Sequence, residues 1–225
     1  MEKLTRRQLA SATFGTFAGA AAPPSRSITG TTRTGSARKF PNVLLRTHED
    51  RPVRFYDDLI KGRTVLITFM YATCEGVCPG TAANLRKIQQ RMGVRAGRDV
   101  FLYSITIKPN EDTPQALRIY ADMHGAGPGW LFLTGAADDI EVLRHTLGFV
   151  DPDPVAARDA SSHIGVILYG NEPLDRWAAC PALSNPDLIY ESVLWLEGQM
   201  PGLENQTPRG AERVHDGNES REALR

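Results

Sequence analysis

A buried strand that leads into a pair of cysteines constrains this sequence more than any other feature. Residues 64–72 read TVLITFMYA, an unbroken apolar and β-branched run that predicts a central strand covered on both faces. Residues 74–79 follow as CEGVCP, and residues 79–92 carry a helical apolar pattern in which Pro79 suits the first turn. The sequence therefore predicts a strand–loop–helix unit with two thiols at its junction.

Strand and helix patterns alternate through the rest of a folded unit that we place at residues 39–201. This order predicts an α/β domain of thioredoxin-like type, with a mixed central sheet and helices on both faces. The last two strands are expected to pair through a turn at Gly170-Asn171. Further strands are predicted at 100–107, 130–133, 164–169 and 175–179. Further helices are predicted at 114–124, with Thr113 as its cap, at 137–147 and at 184–198.

Three segments are expected to lie outside that domain. Residues 1–22 have a basic start followed by a short, weakly apolar stretch that ends in alanines, which is typical of an export signal. The pair Arg6-Arg7 resembles a twin-arginine signal, although an ordinary secretory signal and an uncleaved anchor remain alternatives. Residues 23–38 are predicted to be a flexible linker and residues 202–225 a disordered tail.

The apolar part of the leader is shorter than the roughly 18–20 residues that a membrane span needs. We therefore expect a periplasmic protein that is soluble after signal removal, with no stable membrane span. The chain has 26 basic and 26 acidic residues, so it lacks the basic excess that favours nucleic-acid binding. The three cysteines are too few for a disulfide framework and favour a working dithiol plus one spare thiol, Cys180.

The cysteine pair has the chemistry of a metal or redox site. A spacing of four places Cys74 and Cys78 on the same side of one helical turn, and a helix N-terminus stabilises thiolates. Thiolates select soft ions such as copper(I), and imidazole suits copper(I) and copper(II) alike. His163, just before the predicted strand at 164–169, is the candidate for a third ligand. A structural role or a simple disulfide for the cysteines, and a surface or core role for His163, are the alternatives.

Four sequence blocks resemble the Sco/SenC family in order and spacing: FMYATCEGVCPGTAANL, EDTPQALRIYAD, GWLFLTG and SSHIGVILYG. The resemblance implies a thioredoxin-like fold and copper bound by Cys74, Cys78 and His163. It also implies a role in supplying copper to the copper A centre of cytochrome c oxidase, in subunit II, or in reducing the cysteines of that centre. Many members of the family have Asp-Pro where this chain has Lys108-Pro109, and Cys180 is an additional thiol.

Two functions are compatible with this site. The first is a copper metallochaperone for cytochrome c oxidase or another periplasmic copper enzyme, which needs the dithiol and His163. The second is a thiol-disulfide oxidoreductase for exported proteins, which needs only the dithiol. Such enzymes typically carry C-x-x-C, so the longer spacing favours metal binding. A peroxidase of the same fold is a weaker third hypothesis, because paired thiols are not required for it.

Overall fold

The computed structural model describes residues 40–150 and 165–199. The strands in these ranges are β1 (Leu44–Thr47), β2 (Pro52–Arg54), β3 (Thr64–Met70), β4 (Val100–Thr106), β5 (Trp130–Gly135), β6 (Val166–Asn171) and β7 (Arg176–Pro181). The helices are α1 (Val77–Met92), α2 (Pro114–Met123), α3 (Ala137–Leu147) and α4 (Pro186–Leu196), together with a π-helical turn at Phe55–Ile60 and a 3-10 turn at Gly93–Arg95.

The strands form one mixed sheet in the order β2-β1-β5-β4-β3-β6-β7. Strands β3, β4 and β5 run parallel to one another, whereas β6 lies antiparallel to β3 on its other side. Strand β7 extends that side and β1 and β2 the opposite side, all through antiparallel pairs. The predicted mixed sheet is confirmed, and the predicted central strand is β3, which has strand neighbours on both sides.

Strand β3 is buried along its whole length because both faces of the sheet are covered. Its alternating side chains enter two separate cores. Leu66 and Met70 pack with residues of α1, α2 and α4, whereas Val65 and Ile67 pack with residues of α3 and the π-helical turn. The predicted placement of helices on both faces is therefore confirmed.

Helix α1 carries the apolar face that the sequence predicts. Leu85 and Ile88 are buried in the first of the two cores. The helix ends at Gly93, whose positive φ of 55° is a conformation that glycine adopts at no steric cost. Its start differs from the prediction: it begins at Val77 rather than Pro79, so Cys78 already belongs to its first turn.

Two other predictions need correction. Gly170 and Asn171 are the last residues of β6, and the turn to β7 follows at residues 172–175. Strands β1 and β2, which complete one side of the sheet, and the π-helical turn were not predicted from the sequence. By contrast, the cap of α2 is as predicted, because the Thr113 hydroxyl accepts a hydrogen bond of 3.2 Å from the Ala116 N–H. None of the helices in residues 40–150 and 165–199 is long and apolar enough to cross a membrane.

Candidate metal centre

The two cysteines lie where the chain leaves β3 and enters α1. Cys74 is in the connecting loop, where its N–H donates to the Tyr71 carbonyl oxygen at 3.2 Å, and Cys78 is the second residue of α1. Only 7% of Cys74 and 2% of Cys78 is exposed. The carboxyl end of a central strand is where open α/β sheets place their ligands. The predicted strand–loop–helix unit is therefore present, with both thiols withdrawn from water.

The two thiols have opposite acidities. Burial works to raise the pKa of Cys74, but hydrogen bonds from the Cys78 thiol, from the N–H groups of Cys78 and Gly76 and from the Tyr71 side chain bring it below its ordinary value. Burial raises the pKa of Cys78 to about 12, and its hydrogen bond to Cys74 acts in the same direction. Cys74 is therefore the more acidic thiol of the pair, and the Cys78 S–H donates to its sulfur.

Asp112 holds the cysteine loop in place through a hydrogen bond. This carboxylate is 2% exposed and accepts hydrogen bonds from the Ala72 N–H at 3.1 Å and from the Thr106 hydroxyl. Burial raises its pKa, which the bonds from Thr106 and Ala72 oppose. Asp112 thus ties the loop to the end of β4 and to the segment that precedes α2.

Lys108 is connected to the thiols through the side chain of Tyr71. Its Nζ is 4.4 Å from the centre of the Tyr71 ring and 3.6 Å from a carboxylate oxygen of Glu111. The Tyr71 side chain in turn donates to Cys74. Lys108 therefore contacts the tyrosine whose side chain donates to the Cys74 sulfur.

Tyr120 approaches the site from α2. Its ring packs edge-on against Phe132, with centroids 5.6 Å apart. Burial raises the pKa of its hydroxyl, and the negative charges of Cys78, Cys74 and Asp112 raise it further. The hydroxyl is buried and has no hydrogen-bond partner in the described part of the chain. Tyr71, Asp112 and Tyr120 were not predicted as site residues, although all three lie within the blocks that carry the family resemblance.

The other predicted site residues are placed as follows. Cys180 is half-buried on β7, where it pairs with Ile167 in the strand ladder, and burial raises its pKa. His163 lies outside the described residues. Within residues 40–150 and 165–199, no three His, Cys, Asp or Glu side chains form a group that could hold a metal ion. Gly165 passes so close to α1 that a Cβ added there would lie 2.7 Å from Val77 Cγ2.

A mixed sheet whose central strand delivers two cysteines to the start of a helix defines a thioredoxin-like protein. The model of the SCO1/SenC family matches residues 42–168, which is more than half of the chain. The chain therefore belongs to the SCO1/SenC family, as the sequence blocks indicated.

Individual relatives agree with this assignment. A candidate copper-binding protein of Stutzerimonas stutzeri is 29% identical over 130 residues, which cover 57% of this chain and 62% of the relative, so the match spans less than two thirds of that protein. Two solved structures share the fold. The copper-bound ScoI of Bradyrhizobium japonicum is 21% identical with a TM-score of 0.55 over 68% of this chain and 96% of its own. BsSco, described as a Sco-family cytochrome c oxidase assembly protein with a disulfide switch, is 20% identical with a TM-score of 0.56 over 69% and 91%.

Proposed function

We propose that this chain is a copper metallochaperone. It binds one copper ion through Cys74, Cys78 and His163 and delivers it to a periplasmic copper enzyme, with cytochrome c oxidase subunit II and its copper A centre as the first candidate. The observation that carries the proposal is the buried, hydrogen-bonded pair of Cys74 and Cys78 at the start of α1. Their two sulfurs present soft donors to one point in space, which is what copper(I) prefers.

The donor set fits copper better than it fits zinc. Two thiolates and one imidazole give three ligands, whereas structural zinc is almost always held by four. Burial also favours copper(I), because this ion needs few ligands. The buried position of Cys78 keeps out water that would compete as a ligand. Metal binding releases protons from the thiols, since the thiolate is the form that coordinates metal.

His163 is proposed as the third ligand because of its position in the chain. It precedes Gly165 by two residues. Gly165 itself packs against Val77, which stands next to Cys78. This position, close in sequence to a described residue that packs against α1, supports the proposal of His163 as a ligand.

The relatives support both the cargo and the recipient. The protein of Stutzerimonas stutzeri carries copper binding in its name, and ScoI of Bradyrhizobium japonicum was solved with copper bound. BsSco is described within a family of cytochrome c oxidase assembly proteins. These properties become a proposal for the present chain because it belongs to the SCO1/SenC family.

Copper titration of the reduced protein tests the site. We expect about one copper per chain, and we expect His163→Ala to lower the copper(I) affinity by at least about tenfold, since even outer-shell partners are typically worth 10–100-fold. Competition with a copper(I) chelator measures the affinity. His145→Ala is the matched control, because His145 is exposed on α3 and its nearest ionic partner is Glu141, at 3.9 Å. Equal affinities of His163→Ala and wild type would remove His163 from the site.

Export is a separate prediction. We expect that the chain reaches the periplasm through its twin-arginine signal, so that Arg6→Lys combined with Arg7→Lys leaves it in the cytoplasm. Cell fractionation and immunoblotting measure the distribution, with the unaltered leader as the reference. Continued export of the double variant would point to an ordinary secretory signal. Firm membrane association of the wild type would point to an uncleaved anchor.

A thiol-disulfide oxidoreductase is the second candidate, and one observation favours it. The pKa of Cys74 is held below its ordinary value beside a protonated Cys78. An attacking thiolate with a resolving thiol next to it is also the arrangement that disulfide exchange uses. The two functions share both cysteines and differ in their need for His163.

A further inference from the structure

The ladder between β1 and β5 ends in a side-chain hydrogen bond. Its last regular pair is Thr47 opposite Leu133. One residue further on, the His48 N–H donates to the Phe132 carbonyl oxygen at 2.8 Å, and a regular antiparallel pair would return that bond to the His48 carbonyl oxygen. Here the Phe132 N–H instead donates to Nδ1 of the His48 imidazole at 3.2 Å, while the His48 carbonyl oxygen accepts from Arg118 Nε at 3.2 Å. The imidazole therefore replaces a backbone acceptor at the end of the ladder.

This hydrogen bond exists only while the imidazole is neutral. A neutral imidazole has one acceptor nitrogen and one N–H, whereas both nitrogens of the charged form are donors. The bond from Phe132 therefore requires a lone pair on Nδ1 and places the proton on Nε2. Phe132 is 1% exposed, and its ring packs edge-on against the His48 imidazole with centroids 5.9 Å apart. Protonation of His48 would leave a buried backbone N–H facing a second donor, and an unsatisfied buried donor costs free energy.

The surroundings of His48 carry charges of both signs. Partial burial lowers the pKa of the imidazole, and the positive charge of Arg118 on α2 acts in the same direction. Glu49, the Phe132 backbone and Asp122 on α2 act to raise it, and the net result is a pKa below the ordinary value. The neutral form that the hydrogen bond needs is therefore the form that the folded protein favours at neutral pH.

We propose that His48 is a pH-sensitive latch, which joins β1 to β5 at neutral pH and releases β1 when its imidazole is protonated. The latch is independent of the proposed copper function, because His48, Phe132 and Arg118 are not among the proposed ligands. The unfolded chain takes up this proton near the ordinary pKa of about 6.5, before the folded protein does. The stabilisation by the latch is therefore present above that pH and is lost as the pH falls from there through the lower pKa of the folded state. Acid thus loosens the side of the sheet that β1 and β2 form.

His48→Asn tests the latch, with His48→Ala as its counterpart. The asparagine side-chain oxygen can accept in place of Nδ1 and does not titrate, whereas alanine offers no acceptor. At pH 8 we expect the Phe132 amide to be protected from hydrogen exchange in the wild type and in His48→Asn. We expect it to be roughly three- to tenfold less protected in His48→Ala, which is the worth of about one net hydrogen bond. From pH 8 to pH 5, after correction for the intrinsic exchange rate, protection should fall more in the wild type than in His48→Asn.

The nitrogen NMR shifts of the His48 imidazole give a second readout, and we expect the tautomer with its proton on Nε2 at pH 8. This measurement uses the unaltered protein, so it tests the latch even if asparagine does not reproduce the bond. His145→Asn is the matched control, because His145 is exposed on α3, and it should keep the wild-type pH profile. A proton on Nδ1 at pH 8, or the same pH profile of Phe132 protection in the wild type and His48→Asn, would overturn the inference. An equal gain of acid resistance in His145→Asn would overturn it as well, because the effect would then be one of overall charge.

Discussion

We expect Cys74→Ser and Cys78→Ser each to lose at least about a thousandfold in copper(I) affinity, which is the largest effect of any substitution in this chain. Each variant exchanges a soft thiolate for a hard hydroxyl, and copper(I) discriminates strongly between the two. The loss should exceed the 10–100-fold that an outer-shell partner is worth, because a direct bond to the metal disappears. Copper content after chelator competition measures the change.

The third cysteine, Cys180, provides a matched control. Cys180→Ser makes the same chemical change on β7, outside the β3–α1 junction, and we expect it to leave copper affinity unaltered. Circular dichroism of each variant checks that the fold is intact, since serine at the buried position of Cys78 introduces a polar group into a core. Wild-type copper affinity in both Cys74→Ser and Cys78→Ser would contradict the proposed site. A loss of copper affinity in Cys180→Ser alone would place the copper site at Cys180 instead.

The centre of the fold could be predicted because its signals are local and agree with one another. Strand β3 is a continuous apolar run, and the helices carry clear punctuation, such as Thr113 before α2 and Gly93 after α1. In each case hydrophobic period, cap and breaker point to the same boundary. These elements also position the cysteines, so their junction was predictable with them.

The edge of the sheet was harder because its stabilising contacts are distant in sequence. Strand β1 has four residues and β2 has three, which is too short for a reliable pattern. Leu45 and Thr47 are buried because β1 pairs with β5, nearly ninety residues later in the chain. No local rule encodes that pairing. The turn before β7 was misplaced for a related reason: Gly170 and Asn171 look like turn residues, but cross-strand pairs with Trp177 and Arg176 hold them in β6.

The surroundings of the dithiol illustrate a different limit. The cysteines can be recognised in the sequence by residue type and spacing. Asp112 and Tyr120 can be recognised only in the structure, which buries them near the cysteine loop. A lone aspartate or tyrosine in the sequence is far more often a surface or packing residue. Only the three-dimensional arrangement distinguishes a carboxylate that anchors the loop from one that is solvated.

The second large effect separates the two candidate functions. If the chain is a metallochaperone, His163→Ala should abolish most copper delivery while the dithiol still reacts with disulfides. The reason is chemical: the imidazole adds a bond to copper, whereas disulfide exchange depends on thiolate fraction, nucleophilicity and access. In a bacterial strain that lacks the protein, we expect oxidase activity to fall at limiting copper, to recover with excess copper, and to be restored by the wild-type gene but not by His163→Ala.

The oxidoreductase hypothesis predicts the opposite order of effects. His163→Ala would then restore oxidase activity as well as the wild type does, while Cys74→Ser and Cys78→Ser would both fail. An added thiol reductant would rescue the deletion strain, and copper would not. We expect the copper-dependent pattern because, in the proposed site, His163 binds copper, whereas disulfide exchange needs only the two cysteines. Since thiolates that bind copper also attack disulfides, a small reductase activity in the purified wild type is compatible with the chaperone. Rescue by reductant with no response to copper would reject it.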